Sequence, residues 1–489
     1  MPTEQQSKQT FVTHRWTALG AAVLLAGCAN MSGIAPEAKL RPPDTFGLRG
    51  DAATQVSAQW WRDFGDPQLD ALITQALRDN PNLRVAQARL ARARAVLEVA
   101  NAATLPQVNG SLEVTRQRYT ENGLVPPPIA GSVRDISTLQ LGTNWEIDFF
   151  GKYSQALEAA LGTSRAADAD VQAARVLLAS QVARSYFQLA RLHDQLAVAE
   201  RTLAQRQESH KLVRDRVNAG LDTTLELRQS EGALPEARQQ IEALREQSQT
   251  TRNALAALVG QPDIAIAAKP LAALKPVAIP AAVPADLLGR RAEIVAARWR
   301  VEAAGHEVES AKAQFYPNIS LTAFVGLSSI GLGKLLDPGS LQAGVGPAIH
   351  LPIFDAGRLR ANLRGKTADL DAAVESYNGA VLDAVRETAD QLTAAQSVAR
   401  QQADQRAAQT AAEQAYGIAL QRYRAGLGTY LNVLAAETAV LNQRRLAVDL
   451  AARALDTRVQ LMRALGGGFT PDAETQQLAA QPSTRKEQQ

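Results

Sequence analysis

The chain has 489 residues, 46% hydrophobic and 21% charged but only 5% aromatic, with a formal net charge of +3. That balance belongs to a globular protein with enough apolar residues for a large core, and it excludes a disordered chain. A charge this small, with no Lys/Arg block interleaved with aromatics, argues against a nucleic-acid partner.

In chain order the first element is N-terminal. Lys8 and Arg15 precede a mostly apolar run, residues 16–26, that ends Leu25-Ala26-Gly27-Cys28. About eleven apolar residues behind a positive start make a signal-peptide core, too short to span a bilayer. The ending resembles a bacterial lipoprotein cleavage box. Residues 1–27 are therefore expected to be removed, and Cys28, the only cysteine, to carry acyl chains. At roughly 0.8 kcal/mol per buried methylene, several chains anchor stably. Ala29 follows Cys28 where an aspartate would favour the inner membrane, so the expected location of the lipid-anchored segment 28–65 is the outer membrane.

From residue 66 the pattern is duplicated. Leu105-Pro106 returns as Tyr316-Pro317, Phe149-Phe150-Gly151 as Phe354-Asp355-Ala356-Gly357, Ala219-Gly220-Leu221 as Ala425-Gly426-Leu427, and Val259-Gly260 as Leu465-Gly466. A period this long marks a duplicated half-domain rather than a solenoid repeat. The first repeat is read as 66–261 and the second as 288–467, with a Pro-rich linker at 262–287 and a polar tail at 468–489.

Asp66-Pro67 opens a helix expected to run to about Ala103. The period then changes to two. Val108, Gly110, Leu112 and Val114 alternate with polar residues, as do Leu139, Leu141, Thr143, Trp145 and Ile147. The second repeat does the same with Ile319, Leu321, Ala323, Val325 and Leu327, then with Leu341, Ala343, Val345 and Ile349. Strands are expected at about 105–117, 136–148, 317–328 and 341–353. Their length of about ten residues suits a tilted bilayer crossing. The Gly- and Pro-rich connections at 121–131 and 329–339 suit external loops.

Proline-free helices follow at about 153–217 and 359–423, each roughly 90 Å long. Leu178, Val182, Tyr186 and Leu189 form an apolar stripe on the first; Tyr377, Val381, Val385, Thr388 and Leu392 form its counterpart. Gly220 and Gly426 suit helix C-caps, and return helices are expected at 223–259 and 429–465. Four strands cannot close a membrane barrel, and an open edge in lipid leaves backbone groups unsatisfied at several kcal/mol each. Copies of the chain must therefore pool their strands in a cyclic oligomer. The fold class expected is mostly α with a membrane β-barrel.

Residues Trp60-Trp61-Arg62-Asp63-Phe64-Gly65-Asp66-Pro67, Trp145-Glu146-Ile147-Asp148-Phe149-Phe150-Gly151, Leu351-Pro352-Ile353-Phe354-Asp355-Ala356-Gly357-Arg358 and Tyr423-Arg424-Ala425-Gly426 occur in an order that resembles the outer-membrane efflux lipoproteins of the TolC family. The resemblance implies a homotrimer with a 12-stranded β-barrel and a 12-helix α-barrel. It also implies a periplasmic adaptor and an inner-membrane pump of the resistance-nodulation-division type as partners, with outer-membrane lipid around the barrel. The function implied is the outer-membrane channel of a tripartite efflux pump that conducts small molecules such as drugs. The alternatives are the outer-membrane component of type I protein secretion and a periplasmic adaptor lipoprotein.

No catalytic chemistry is expected. His193, His210, His306 and His350 have no partner at metal-ligand spacing, and Gly331-Leu-Gly-Lys334 lacks the rest of a phosphate loop. No cofactor or metal is expected. The site residues expected are Cys28 for lipidation and Ala219, Gly220, Leu221, Ala425, Gly426 and Leu427 for a tip that meets the adaptor. Relatives often close this end with carboxylates just after the second glycine turn. Here Asn432 and Ala435 stand at those places, so the expected gate is Leu431 packing with Glu226, Arg228 and Asn432 contacts.

Overall fold

A computed structural model describes residues 31–42, 56–262, 264–275 and 287–470. Cys28, the expected signal segment 1–27, most of the tail and the linker prolines Pro276, Pro280 and Pro284 lie outside the described residues. The elements in chain order are α1 (Pro67–Asp79), α2 (Pro81–Ala102), β1 (Gln107–Arg118), β2 (Val133–Ile147), α3 (Lys152–Asn218) and α4 (Thr224–Val259). After a helical turn at Leu287–Arg290 come α5 (Ala292–Ala313), β3 (Asn318–Ile330), β4 (Leu341–His350), α6 (Arg358–Arg424) and α7 (Tyr430–Ala464). No helix among the described residues is long and apolar enough to cross a membrane.

Where one helix was expected to reach Ala103, there are two. Pro81 pushes Asn80 to an extended ψ of 124°, because a residue before proline is barred from the helical region. Asn80 then caps the new helix: its Oδ1 accepts from the Asn82 and Leu83 amides at 2.8 and 3.2 Å. The strands start and stop within a few residues of the alternating runs. The largest shifts are at β2, which begins at Val133, and at β4, which ends at His350.

The chain divides into two compact units, each drawing on both repeats. One comprises Leu90–Ala166, Ala297–Tyr377 and the described residues up to Leu40. It holds a four-stranded antiparallel sheet in sequence order, β1-β2-β3-β4. A small core of Val308, Phe315, Leu359 and Leu363 lies beside the strand ends, covered by Met31 and Ile34. From there the N-terminal segment runs extended along α6: Arg360 donates to Ser32 O at 3.1 Å, and the Glu37 and Ala38 amides donate to Asp371 Oδ1 at 3.0 and 2.9 Å.

The other unit holds a buried aromatic cluster. Trp60 meets both Trp61 and Phe64 edge to face, and Phe64 meets Phe187, with centroids 4.9–6.3 Å apart. Asp66 explains the Gly-Asp-Pro that follows. One carboxylate oxygen caps α1 through the Gln68 amide at 3.0 Å, and the other accepts from the buried Tyr186 hydroxyl at 2.5 Å. Burial and this carboxylate together raise the Tyr186 pKa. Leu178, Val182, Tyr186 and Leu189, the expected α3 stripe, are all buried. On α6, Val381, Thr388 and Leu392 are buried while Tyr377 and Val385 are only partly so. The Ala-Gly-Leu region and the return helices complete this unit.

Candidate functional site

The sheet has two chemically different faces, set by strand register. On one face Leu112, Leu139, Leu327 and Leu341 lie side by side across all four strands, next to Gly110, Leu141, Val325 and Ala343. Ile147, Ile319 and Ile349 form a further row toward the helices. These side chains are not core: Leu112, Leu141 and Ile349 are 64%, 57% and 72% exposed. On the opposite face the rows read Gln107, Asn144, Thr322, Gly346 and Ser111, Gln140, Gly326, Gln342. Beyond the strand ends Phe149, Phe150, Tyr316 and Phe354 are exposed, Phe150 and Tyr316 stacked with centroids 4.9 Å apart. An exposed apolar face, a polar reverse and aromatics at one border are the marks of a membrane barrel wall. Among the described residues β1 pairs only with β2, and β4 only with β3, so each outer strand offers an unpaired edge.

At the ends of α3 and α6 the two glycine turns share one geometry. Gly220 and Gly426 have φ of 74° and 76°, a left-handed conformation that favours glycine. Leu221 N donates to Arg216 O at 2.9 Å and Gly220 N to Val217 O at 3.0 Å; Leu427 to Arg422 and Gly426 to Tyr423 repeat this at 2.8 and 3.0 Å. Both are Schellman caps. Ala219, Leu221, Ala425 and Leu427 are exposed, as are Leu225 and Leu431, the same position in each repeat.

Among the described residues of a single chain, the expected gate residues make other contacts. Glu226 is the third residue of α4 and is taken up by a capping box, accepting from the Thr223 amide at 3.0 Å while Thr223 Oγ1 accepts from Leu225 N at 3.2 Å. The Thr223 hydroxyl, the main cause, lowers the Glu226 pKa. Arg228 is paired with Glu231 at 2.6 Å, and Leu431 and Asn432 are exposed. A carboxylate spent on a helix N-terminus is not free to reach across to another helix.

The contact that does join the two turns lies a few residues earlier. Asp222, just past the first glycine, accepts from Arg216 Nε at 2.9 Å and from the hydroxyl of Tyr423, which belongs to the other repeat. The Arg216 guanidinium lies 4.6 Å from the Tyr423 ring centroid. Tyr423 itself packs with Val213, Tyr430 and Val433 in a small buried cluster. Burial alone would raise the Asp222 pKa, but the Arg216 and Tyr423 hydrogen bonds outweigh it and hold the carboxyl below 3.8. One further charge is buried nearby: Glu437 on α7, 3.5 Å from Arg206 on α3, whose Nη1 also donates to Ala233 O at 2.9 Å. Two of the histidines hold ordinary partners, His210 with Ser230 at 2.9 Å and His306 with Gln155 at 2.7 Å. Among the described residues no cluster of three His, Cys, Asp or Glu side chains could hold a metal ion.

The profile of the outer membrane efflux protein family matches residues 72–261 and 283–467. The fusaric acid resistance protein FusA of Burkholderia cepacia is 37% identical over 377 residues, 74% of this chain and 71% of that protein. The multidrug resistance outer membrane protein MdtP of Escherichia coli is 32% identical over 92% of this chain and 95% of its own length. Among solved structures, the outer membrane protein VceC of Vibrio cholerae superposes with a TM-score of 0.78 at 36% identity, covering 85% of this chain and all of that one. The chain belongs to the outer membrane efflux protein family. It is an outer-membrane efflux channel, and its family functions in multi-component efflux systems.

Proposed function

We propose that three copies of the chain pool their strands, four from each, into one barrel that conducts small molecules, drugs among them, out of the cell. The observation that carries this is the sheet: a two-faced wall with both edges unpaired. Twelve strands exceed the eight or so at which membrane barrels begin, and closure satisfies every edge amide that would otherwise cost several kcal/mol in lipid. Apolar rows then face lipid and the glutamine and asparagine rows face a water-filled lumen. The resistance to fusaric acid and to multiple drugs in the relatives' names supports small-molecule cargo.

The N-terminal segment supports lipidation at Cys28. Ser32 is tied to Arg360 next to the foot of β4, and four residues reach at most about 14 Å. The exposed Ala-Gly-Leu turns are proposed as the surface that meets a periplasmic adaptor, which in turn engages an inner-membrane pump. The latch that keeps this end closed is Arg216–Asp222–Tyr423, which ties one repeat's turn to the other's. Single-channel recording of the purified protein in planar bilayers tests the function: long-lived unitary currents support it, and a protein that inserts without conducting overturns it.

A further inference from the structure

We propose that Phe324 is the pore wall's contact for planar aromatic cargo, its ring seated over a glycine of the neighbouring strand β4. The proposal rests on the channel reading, in which the polar face of the sheet lines the lumen. Phe324 lies on that face, opposite Gly142 of β2 and Gly344 of β4. In the four rows running from Gln107 to Glu113 it is the one large apolar side chain. Its strand is an inner one, flanked on both sides by strands of the same chain, so pooling strands between copies leaves these neighbours unchanged.

The ring lies over β4. A Cβ at Gly344 would come 2.6 Å from Phe324 Cε1 and 2.8 Å from Cζ, closer than any real side chain permits. The rows above and below are fixed. Gln342 Nε2 donates to Gln140 Oε1 at 3.4 Å across Gly326, and Thr322 Oγ1 donates to Gly346 O at 3.1 Å. Seated on β4, the ring remains 39% exposed on the polar face of the sheet. A π-face in a wall of amides and hydroxyls attracts planar rings by stacking and cations by its quadrupole. The ligand class is the planar aromatic cation. Packing a ring over a strand glycine also stabilises sheets, so the competing account is packing alone.

The test uses full-length protein in planar bilayers with ethidium as the planar aromatic cation and tetrabutylammonium as a non-aromatic one. Phe324→Leu should raise the ethidium concentration needed for current block about two- to five-fold and leave tetrabutylammonium block unchanged. Gly344→Ala removes the ring's seat, stands it into the lumen and should lower unitary conductance. If Phe324→Leu leaves ethidium block as in wild type, the cargo contact is overturned and Phe324 only packs the sheet, even if Gly344→Ala fails to assemble. A wild type without unitary currents would instead overturn the channel reading.

Discussion

Tyr423→Phe removes one hydroxyl from the tip and almost nothing else. The ring stays, so its packing with Val213, Tyr430 and Val433 and the Arg216 guanidinium 4.6 Å from its centroid are retained. What is lost is the hydrogen bond to Asp222, whose carboxylate keeps only Arg216. Side chains of Arg216 and Asp222 are 13% and 11% exposed, so solvent screens them little. A hydrogen bond to a charged group is worth about 1.5–3 kcal/mol net, or roughly a 10- to 150-fold shift toward the open tip per chain. The assay is open probability in single-channel recordings at neutral pH. Because the folded pKa of Asp222 is lowered, its contribution is present above 3.8 and is lost only as pH falls through the folded value. The wild-type latch should therefore hold through mildly acidic pH. Tyr423→Phe and Asp222→Asn channels with wild-type open probability would refute the latch.

Glu226→Gln should leave both conductance and cation block unchanged, since a glutamine at this position can also complete the capping box; a large change in cation block would restore Glu226 to the gate. Burial raises the Glu437 pKa above 4.5, partly offset by Arg206, so its contribution to stability is fully present below 4.5 and declines as pH rises through the folded value. Melting curves between acid and neutral pH should lose part of that decline in Glu437→Gln, and an identical pH profile would contradict the burial argument. Cys28→Ser should abolish the acyl adduct seen by mass spectrometry and reduce assembly; a wild type with no adduct on Cys28 rules lipidation out. Ala425→Trp should lower crosslinking to the adaptor without altering trimer stability, and an unchanged crosslink counts against docking at the tip.

What was legible in the sequence was periodic or conformational. The four alternating runs, the long helices and the left-handed glycines at 220 and 426 each follow from a local rule: side-chain period, absence of proline, positive φ. The latch followed no such rule. Asp222 and Tyr423 are 201 residues apart and come from different repeats, so no spacing links them. A signal was present, though. Tyr423 stands where the first repeat has Val217, and Asp222 where the second has Gly428, so the duplicated turns differ in chemistry at the two positions that meet. Glu226 was ambiguous because an acidic residue in the first turn of a helix reads equally as a gate charge or a cap; the capping box is what the single chain shows. The strap along α6 left no trace either, since residues 31–41 bond through backbone amides that any sequence carries.

The central claim is that separate copies close one barrel through β1 and β4. Single cysteines placed along β1 and paired with single cysteines along β4, with the native Cys28 kept so that assembly is undisturbed, test it by oxidation in the outer membrane. Closure predicts that one register of pairs gives a ladder of bands that ends at three chains. Bands confined to one chain at every register would contradict the account.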